Sequence, residues 1–355
     1  MTDKLHPFFN GEVDEETDEQ AELYEHFHFD VDRGQAQIRI DRFLTDKIKN
    51  VSRNRIQSAA DAGNIVVNGK PVKPSYKVKP LDSISIVMAY PPRDTDIKPE
   101  NIPLSILYED DSLLVVDKPA GMVVHPAHGN FSGTLVNALL YHLRDVPLFS
   151  SGEVRPGLVH RIDKNTSGIL VVAKDEVSMN RLARQFFERT TSRKYIALVW
   201  GDMEADEGTI KGNIGRSVRD RKKMQVFTDE EQGKHAVTHW RVVERFGYVT
   251  LVECRLETGR THQIRVHFEY IHHPIFNDEV YGGNKILRGT LHSHYKQFVE
   301  NCFEICPRHA LHAKTLGFTH PLSGMEMNFE SPLPNDISAL IEKWKKYSTG
   351  KYSEK

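Results

Sequence analysis

Apolar and polar positions follow two rhythms along this chain, and each rhythm predicts a different kind of element. Ile40, Phe43, Leu44 and Ile48 recur at helical spacing, as do Ile56, Ala59 and Ala60, with Ser52 placed to cap the second helix. Residues 63–70 read as a strand ending in an Asn68-Gly69 turn, and residues 82–88 as a second strand. Further on, residues 113–117, 118–121 and 122–125 read as strand, turn and strand, and residues 134–142 as a helix. The unbroken apolar run at 169–173 predicts a strand buried on both faces. Met179, Leu182, Ala183, Phe186 and Phe187 mark the inner stripe of an amphipathic helix. In 192–200, Tyr195, Ala197 and Val199 point one way and Ile196, Leu198 and Trp200 the other, so this strand too has two buried faces. Residues 240–257 carry the spacing of a hairpin. After them Gly259 is expected to make a sharp turn, and Thr261 to cap a helix that turns Ile264, Phe268 and Ile271 inward. A last helix is expected over 337–344, before a polar tail.

Charge divides the chain where periodicity does not. Residues 1–35 hold eleven Asp or Glu against only Lys4 and Arg33, which predicts an acidic, flexible tail whose aromatic residues could let part of it dock on the body. Residues 36–92 hold ten Lys or Arg against four Asp, so this segment is basic. Its Arg53, Arg55 and Lys73 are candidate contacts to RNA phosphates. Residues 93–104 are rich in Pro and charge and read as a stiff linker, residues 105–347 as the main domain, and residues 348–355 as a polar tail. The overall net charge of −2 averages these regions and identifies no partner. Three cysteines make no disulfide framework and suit a reducing cytoplasm. No apolar run reaches the length of a membrane span, so no membrane partner is expected, and a monomer is the default.

The candidate chemistry sits in residues 156–168, just before the buried strand. Asn165, Thr166 and Ser167 can bond nearby backbone groups, and Gly168 can take positive φ where the chain turns. Such a loop can hold Asp163 and Arg161 at fixed positions beside the core. The string His160-Arg161-Ile162-Asp163-Lys164-Asn165-Thr166-Ser167-Gly168, with the apolar run behind it, resembles the signature of the RluA/RluD-type pseudouridine synthases. Three more segments share that resemblance: Asp117-Lys118-Pro119-Ala120-Gly121, Lys194-Tyr195 with Ala197 and Val199, and residues 256–267. Residues 277–283 follow the family pattern with Asn277 as a departure, and Asn tolerates the positive φ of a turn. Residues 39–69 resemble an S4-type RNA-binding domain, which many enzymes of that family carry at their N-terminus.

The resemblance implies an α+β protein: a small two-helix-plus-hairpin RNA-binding domain, then a mixed, mostly antiparallel β-sheet catalytic domain with flanking helices around a central cleft. It implies RNA uridine isomerisation with Asp163 as the catalytic residue, Tyr195 stacked on the base and Arg265 as the partner of the carboxylate. His160, Arg161 and Arg260 are carried over as RNA-binding residues. The basic residues Arg216, Arg219, Arg221, Lys222, Lys223 and Lys234 are candidates for a backbone clamp. Asp163 would act either as a nucleophile at C1′ or as a base on the ribose. No cofactor is expected, and the partner is structured RNA, 23S ribosomal RNA or a large-subunit precursor in first place. A tRNA target and a non-catalytic ribosome-assembly role stand as alternatives. The cluster His292, His294, Cys302, Cys306, His309 and His312 raises zinc chemistry, but Cys302 and Cys306 lie four apart rather than in Cys-x-x-Cys, and no metal site is assigned.

Overall fold

The computed structural model describes residues 24–48, 52–88, 97–126, 130–150, 157–220, 223–229, 231–290 and 292–352. The chain divides into two compact units at Ile97/Lys98.

In the first unit, β1 (Tyr24–Asp30), β2 (Ile65–Val67), β3 (Lys70–Pro71) and β4 (Ser83–Met88) form an antiparallel sheet in the order β1-β4-β2-β3. Two helices, α1 (Ile40–Lys47) and α2 (Arg53–Asp61), supply Ile40, Phe43, Leu44 and Ile56 to the core that this sheet covers. Asn68 and Gly69 both take positive φ, as a tight hairpin turn requires. Two expectations change here. Ser52 stands at the N-cap of α2, but its side chain makes no capping bond. The acidic segment does not run unstructured to residue 35, because residues 24–30 pair with β4 and bring Phe27 and Phe29 onto the core. Alternating aromatics won over the charge around them. Residues 1–23 lie outside the described part.

The second unit is built on a ten-stranded sheet. Its strands are β5 (Ser105–Glu109), β6 (Leu113–Lys118), β7 (Ser167–Ala173), β8 (Ser192–Trp200), β9 (Glu207–Arg216), β10 (Met224–Phe227), β11 (Lys234–Arg245), β12 (Val249–Leu256), β13 (Leu311–Thr319) and β14 (Glu326–Glu330). The order is β10-β9-β11-β12-β8-β13-β7-β6-β5, with β14 added on β13. All these pairings are antiparallel except β13 with β7. The helices are α3 (Leu135–His142), the single turn α4 (Pro147–Ser150), α5 (Glu176–Glu188), α6 (Gln263–Tyr270), α7 (Ser293–Ile305) and α8 (Asn335–Tyr352). Leu182 of α5 closes a core with Val115, Ile169, Val171 and Phe318, and Val266 of α6 closes another with Ile214 and Ala236. None of the described helices is long and apolar enough to cross a membrane.

Residues 122–125 are not a strand. Both edges of β6 are taken by β5 and β7, and the carbonyls of Val123 and Val124 instead accept the first amides of α3. Nor is Phe187 part of the inner stripe of α5: it is 87% exposed. Helix α8 runs past the polar tail's expected start, because Tyr347 stacks on Phe298 with centroids 4.3 Å apart and carries the helix with it.

Candidate active site

Sheet order assembles the site. Ala313 of β13 is the register partner of Gly168 on β7 and of Tyr195 on β8, so the end of the Asp163 loop and Tyr195 flank one small residue. Neighbouring strands lie about 4.8 Å apart, which sets the two sides of the site at roughly 10 Å. Gly168 has φ 118°, and a Cβ there would meet the Ala313 carbonyl oxygen at 2.2 Å. Only glycine lets the loop join β7 at that distance.

The loop is held by its own backbone groups. The Lys164 carbonyl accepts from Gly121 N at 2.9 Å and from the Lys118 ammonium at 3.1 Å. Lys118 also donates to the carbonyls of Pro119 and Met122, so this buried side chain ties the 119–122 turn to the loop. Burial, with the charge of Arg308 beside it, pulls its pKa down to about 7. Arg308 donates to the Asn165 carbonyl at 2.9 Å, and Thr166 and Ser167 bond His309 and His312 through their hydroxyls. These bonds hold residues 164–167, directly after Asp163, and keep that end of the loop rigid.

Asp163 stands on this frame with its side chain 18% exposed. Arg265 Nη1 donates to its Oδ2 at 3.0 Å. The same guanidinium donates through Nε and Nη2 to Asp278 at 2.7 and 2.9 Å, a two-point contact that fixes its plane. Asp278 is fully buried and also accepts from Val280 N and Tyr281 N, in the turn where Asn277 takes positive φ. Burial opposes ionisation of Asp163, but the positive charges of His262 and Arg265 outweigh it and hold the carboxyl below its usual range. Burial also lowers the pKa of His262, so the lasting cation at neutral pH is Arg265. The other oxygen, Oδ1, is 3.9 Å from His262 Nε2 and accepts no hydrogen bond among the described residues. It is open to a ligand.

Tyr195 is 8% exposed and lines a cleft of about 390 Å³ with Asp163, Arg161, Arg193, Arg260 and Phe187. Burial raises its phenol pKa, so the hydroxyl stays protonated. A second cavity of about 380 Å³ lies on the other side of Asp163, against Asp278 and Arg308. Arg265 comes from α6, whose start differs from the expected one. The N-cap is His262, in the left-handed region and without a capping side chain, rather than Thr261. The carboxamide of Gln263 ties down the turn instead, accepting from Arg260 N and Thr258 Oγ1. Gly259 is not needed for positive φ either; its missing Cβ leaves room for Arg193 Nη1, which would lie 2.9 Å away.

Asp163, Tyr195, Arg265, Arg161 and Arg260 therefore meet at one cleft, with Arg161 exposed at its mouth. His160 touches the cleft but serves the fold, since its ring stacks on Phe186 at 4.4 Å and its Nε2 accepts from Val171 N. Burial pulls its pKa down to about 3, so it stays neutral and offers RNA no charge. Arg53 and Lys73 belong to the first unit, where Arg53 is already bonded twice to buried Asp41 and Lys73 is exposed. The side chain of Arg55, like residues 221 and 222 of the basic run, lies outside the described part. Cys302 and Cys306 are buried. His309 and His312 are engaged by the loop hydroxyls. Sequence reasoning assigns no role to Asp278, His262, Tyr281 or Arg308. Asp278 and Tyr281 lie in the 277–283 segment, but that segment does not say which charge each residue meets.

Comparison with known proteins agrees with this fold. Residues 112–270 match the family model described as RNA pseudouridylate synthase, and residues 38–84 match that of the S4 domain. An uncharacterized RNA pseudouridine synthase of Chlorobaculum parvum is 48% identical over 326 residues, 91% of this chain and 99% of that protein. The ribosomal large subunit pseudouridine synthase D of Zymomonas mobilis is 43% identical over 306 residues, 86% of this chain and 93% of its own. Among solved structures, human RNA pseudouridylate synthase domain containing 4 shares the fold, with a TM-score of 0.53 at 24% identity, covering 68% of this chain and 93% of that one.

Proposed function

The chain belongs to the RNA pseudouridylate synthase family, and from that premise we propose that it isomerises specific uridines of large-subunit ribosomal RNA with Asp163 as the catalytic carboxylate. The observation that carries the reading is the 3.0 Å contact between Arg265 and Asp163 in a cleft that Tyr195 also lines.

The reaction breaks the bond between ribose C1′ and uracil N1, turns the base, and rejoins it through C5, with the C5 proton lost and a proton taken up at the freed N1. A stacked uridine cannot reach Asp163, so it must be flipped, at a cost of a few kcal/mol. The cleft volume falls in the range of small-molecule sites and suits one extruded nucleotide. Attack at C1′ and proton removal from the ribose both require Asp163 as an anion, the state that Arg265 favours. Oδ1 is the oxygen left to do either. Tyr195 offers a ring for the base to stack on, and exposed Arg161 offers a planar cation for the gap left in the RNA stack.

The ribosomal target is supported by the S4 domain, which adds a second RNA-binding surface, and by the relatives named ribosomal large subunit pseudouridine synthase D. The test uses RNA tritiated at uracil C5, which isomerisation releases to water. Wild type should release tritium from 23S ribosomal RNA, and Asp163→Asn should not. Release by Asp163→Asn would overturn the catalytic assignment. Release by wild type from bulk tRNA alone would overturn the target.

A further inference from the structure

One wall of the cleft carries a cation that the protein leaves unpaired. Arg193 lies two residues before Tyr195 on β8, so both side chains leave the same face of the strand, about 6.6 Å apart by two residue rises. Arg193 is only 7% exposed, yet among the described residues its side chain forms no ion pair or hydrogen bond, and its Nε is a buried donor without an acceptor. Its guanidinium rests over the Phe186 ring, 5.5 Å from the centroid, and against Gly259, where any Cβ would press on Nη1. An aromatic face and a glycine slot hold the plane of the group, but neither takes its donors.

A buried guanidinium without an acceptor is costly in a finished core. In a cleft that receives a polyanion the missing acceptor can come with the ligand. We propose that Arg193 is a phosphate-binding residue, donating to non-bridging oxygens of the phosphate attached to the nucleotide whose base lies on Tyr195. This rests on reading the Asp163 cleft as the place of the flipped uridine. Base on Tyr195, sugar at Asp163 and phosphate at Arg193 would give each of the three parts of one nucleotide a residue of the same cleft. Gly259 acquires a reason that its backbone conformation does not supply, since it keeps the guanidinium's slot open.

The test measures tritium release from C5-tritiated total RNA of cells lacking this enzyme, which contains the substrate whether ribosomal or transfer RNA. The full chain and Arg193→Gln are compared across roughly 50 to 200 mM salt. Loss of one phosphate contact should lower kcat/KM by roughly 10-fold or more, mainly through KM. It should also flatten the plot of log(kcat/KM) against log[salt] by about 0.7 to 0.9. Arg193→Lys, which keeps the charge, should keep the slope. A slope and KM unchanged in Arg193→Gln would overturn the proposal, as would a lost activity with the slope intact. If Arg193→Gln fails to fold, Gly259→Ala serves instead: its methyl displaces the guanidinium without deleting it and should also flatten the slope, and an unchanged slope there overturns the idea. The catalytic assignment is read separately, because an active Asp163→Asn would refute it without touching the salt slope.

Discussion

Asp278→Asn tests whether Arg265 serves Asp163 by being held from behind. In the buried triad Asp278 Oδ1 accepts three donors, Arg265 Nη2, Val280 N and Tyr281 N, while among the described residues Oδ2 accepts only Arg265 Nε at 2.7 Å. An asparagine would keep its carbonyl oxygen on the three donors, which puts its NH₂ against Nε. One charge-assisted bond is lost and two donors are forced together. The bond itself is worth about 1.5–3 kcal/mol, and removing one partner of a buried pair costs about 3–5 kcal/mol. The lower end applies because the asparagine carbonyl still accepts from Nη2, so the guanidinium keeps one of its two bonds there. A loss of about 3 kcal/mol lowers the melting temperature by roughly 6–12 °C in a domain of this size. The guanidinium then swings from its plane and Nη1 leaves Asp163. The expected kinetic result is a fall in kcat of about 10- to 100-fold, with the acid limb of the pH–rate profile moved to higher pH as the carboxylate loses its cation. Tritium release at saturating RNA from pH 4.5 to 9 reads both. A variant that melts lower but keeps the wild-type kcat and acid limb would show that Asp278 only stabilises the fold.

Two further outcomes follow from the same contacts. Gly168→Ala should lose both fold and activity, because φ 118° and an Ala313 oxygen 2.2 Å from the new methyl cannot both be relieved; a soluble variant melting within about 2 °C of wild type would contradict the close approach. Stability should fall as the solution is acidified, starting near pH 6.5, where buried His160, His309 and His267, pulled by desolvation to about 3, 3 and 4, take up protons only when the chain unfolds. A second loss should follow below pH 4. Asp278 and Asp336, like Asp163, stay ionised against burial through Arg265 and Arg308, so their folded pKa lies under the unfolded one and their ion pairs are lost as pH falls through it. Urea midpoints at pH 7.5, 5.5 and 3.5 check both windows, and equal midpoints would refute them.

The linear chain determined what local physics decides. The apolar run of β7, the helical stripe ending at Phe186 and the Asn68-Gly69 turn depend on neighbours a few positions away, and the structure keeps all of them. The family resemblance of three motifs pointed to Asp163, Tyr195 and Arg265, which the structure brings to one cleft. Where a residue's partner was distant, local signals misled. Charge hid β1, whose partner β4 lies more than fifty residues on, and nothing local shows that the His160 ring stacks on Phe186 and accepts from Val171 N. Arg265 reaches Asp163 across 102 positions, and Gly168 and Tyr195 become neighbours only because β13, more than a hundred residues later, inserts between their strands. Periodicity records which face a residue turns to the core. Which charge it meets there is fixed by strand order, because the strength of a buried ion pair, or the cost of lacking one, depends on distances that exist only once the sheet has closed.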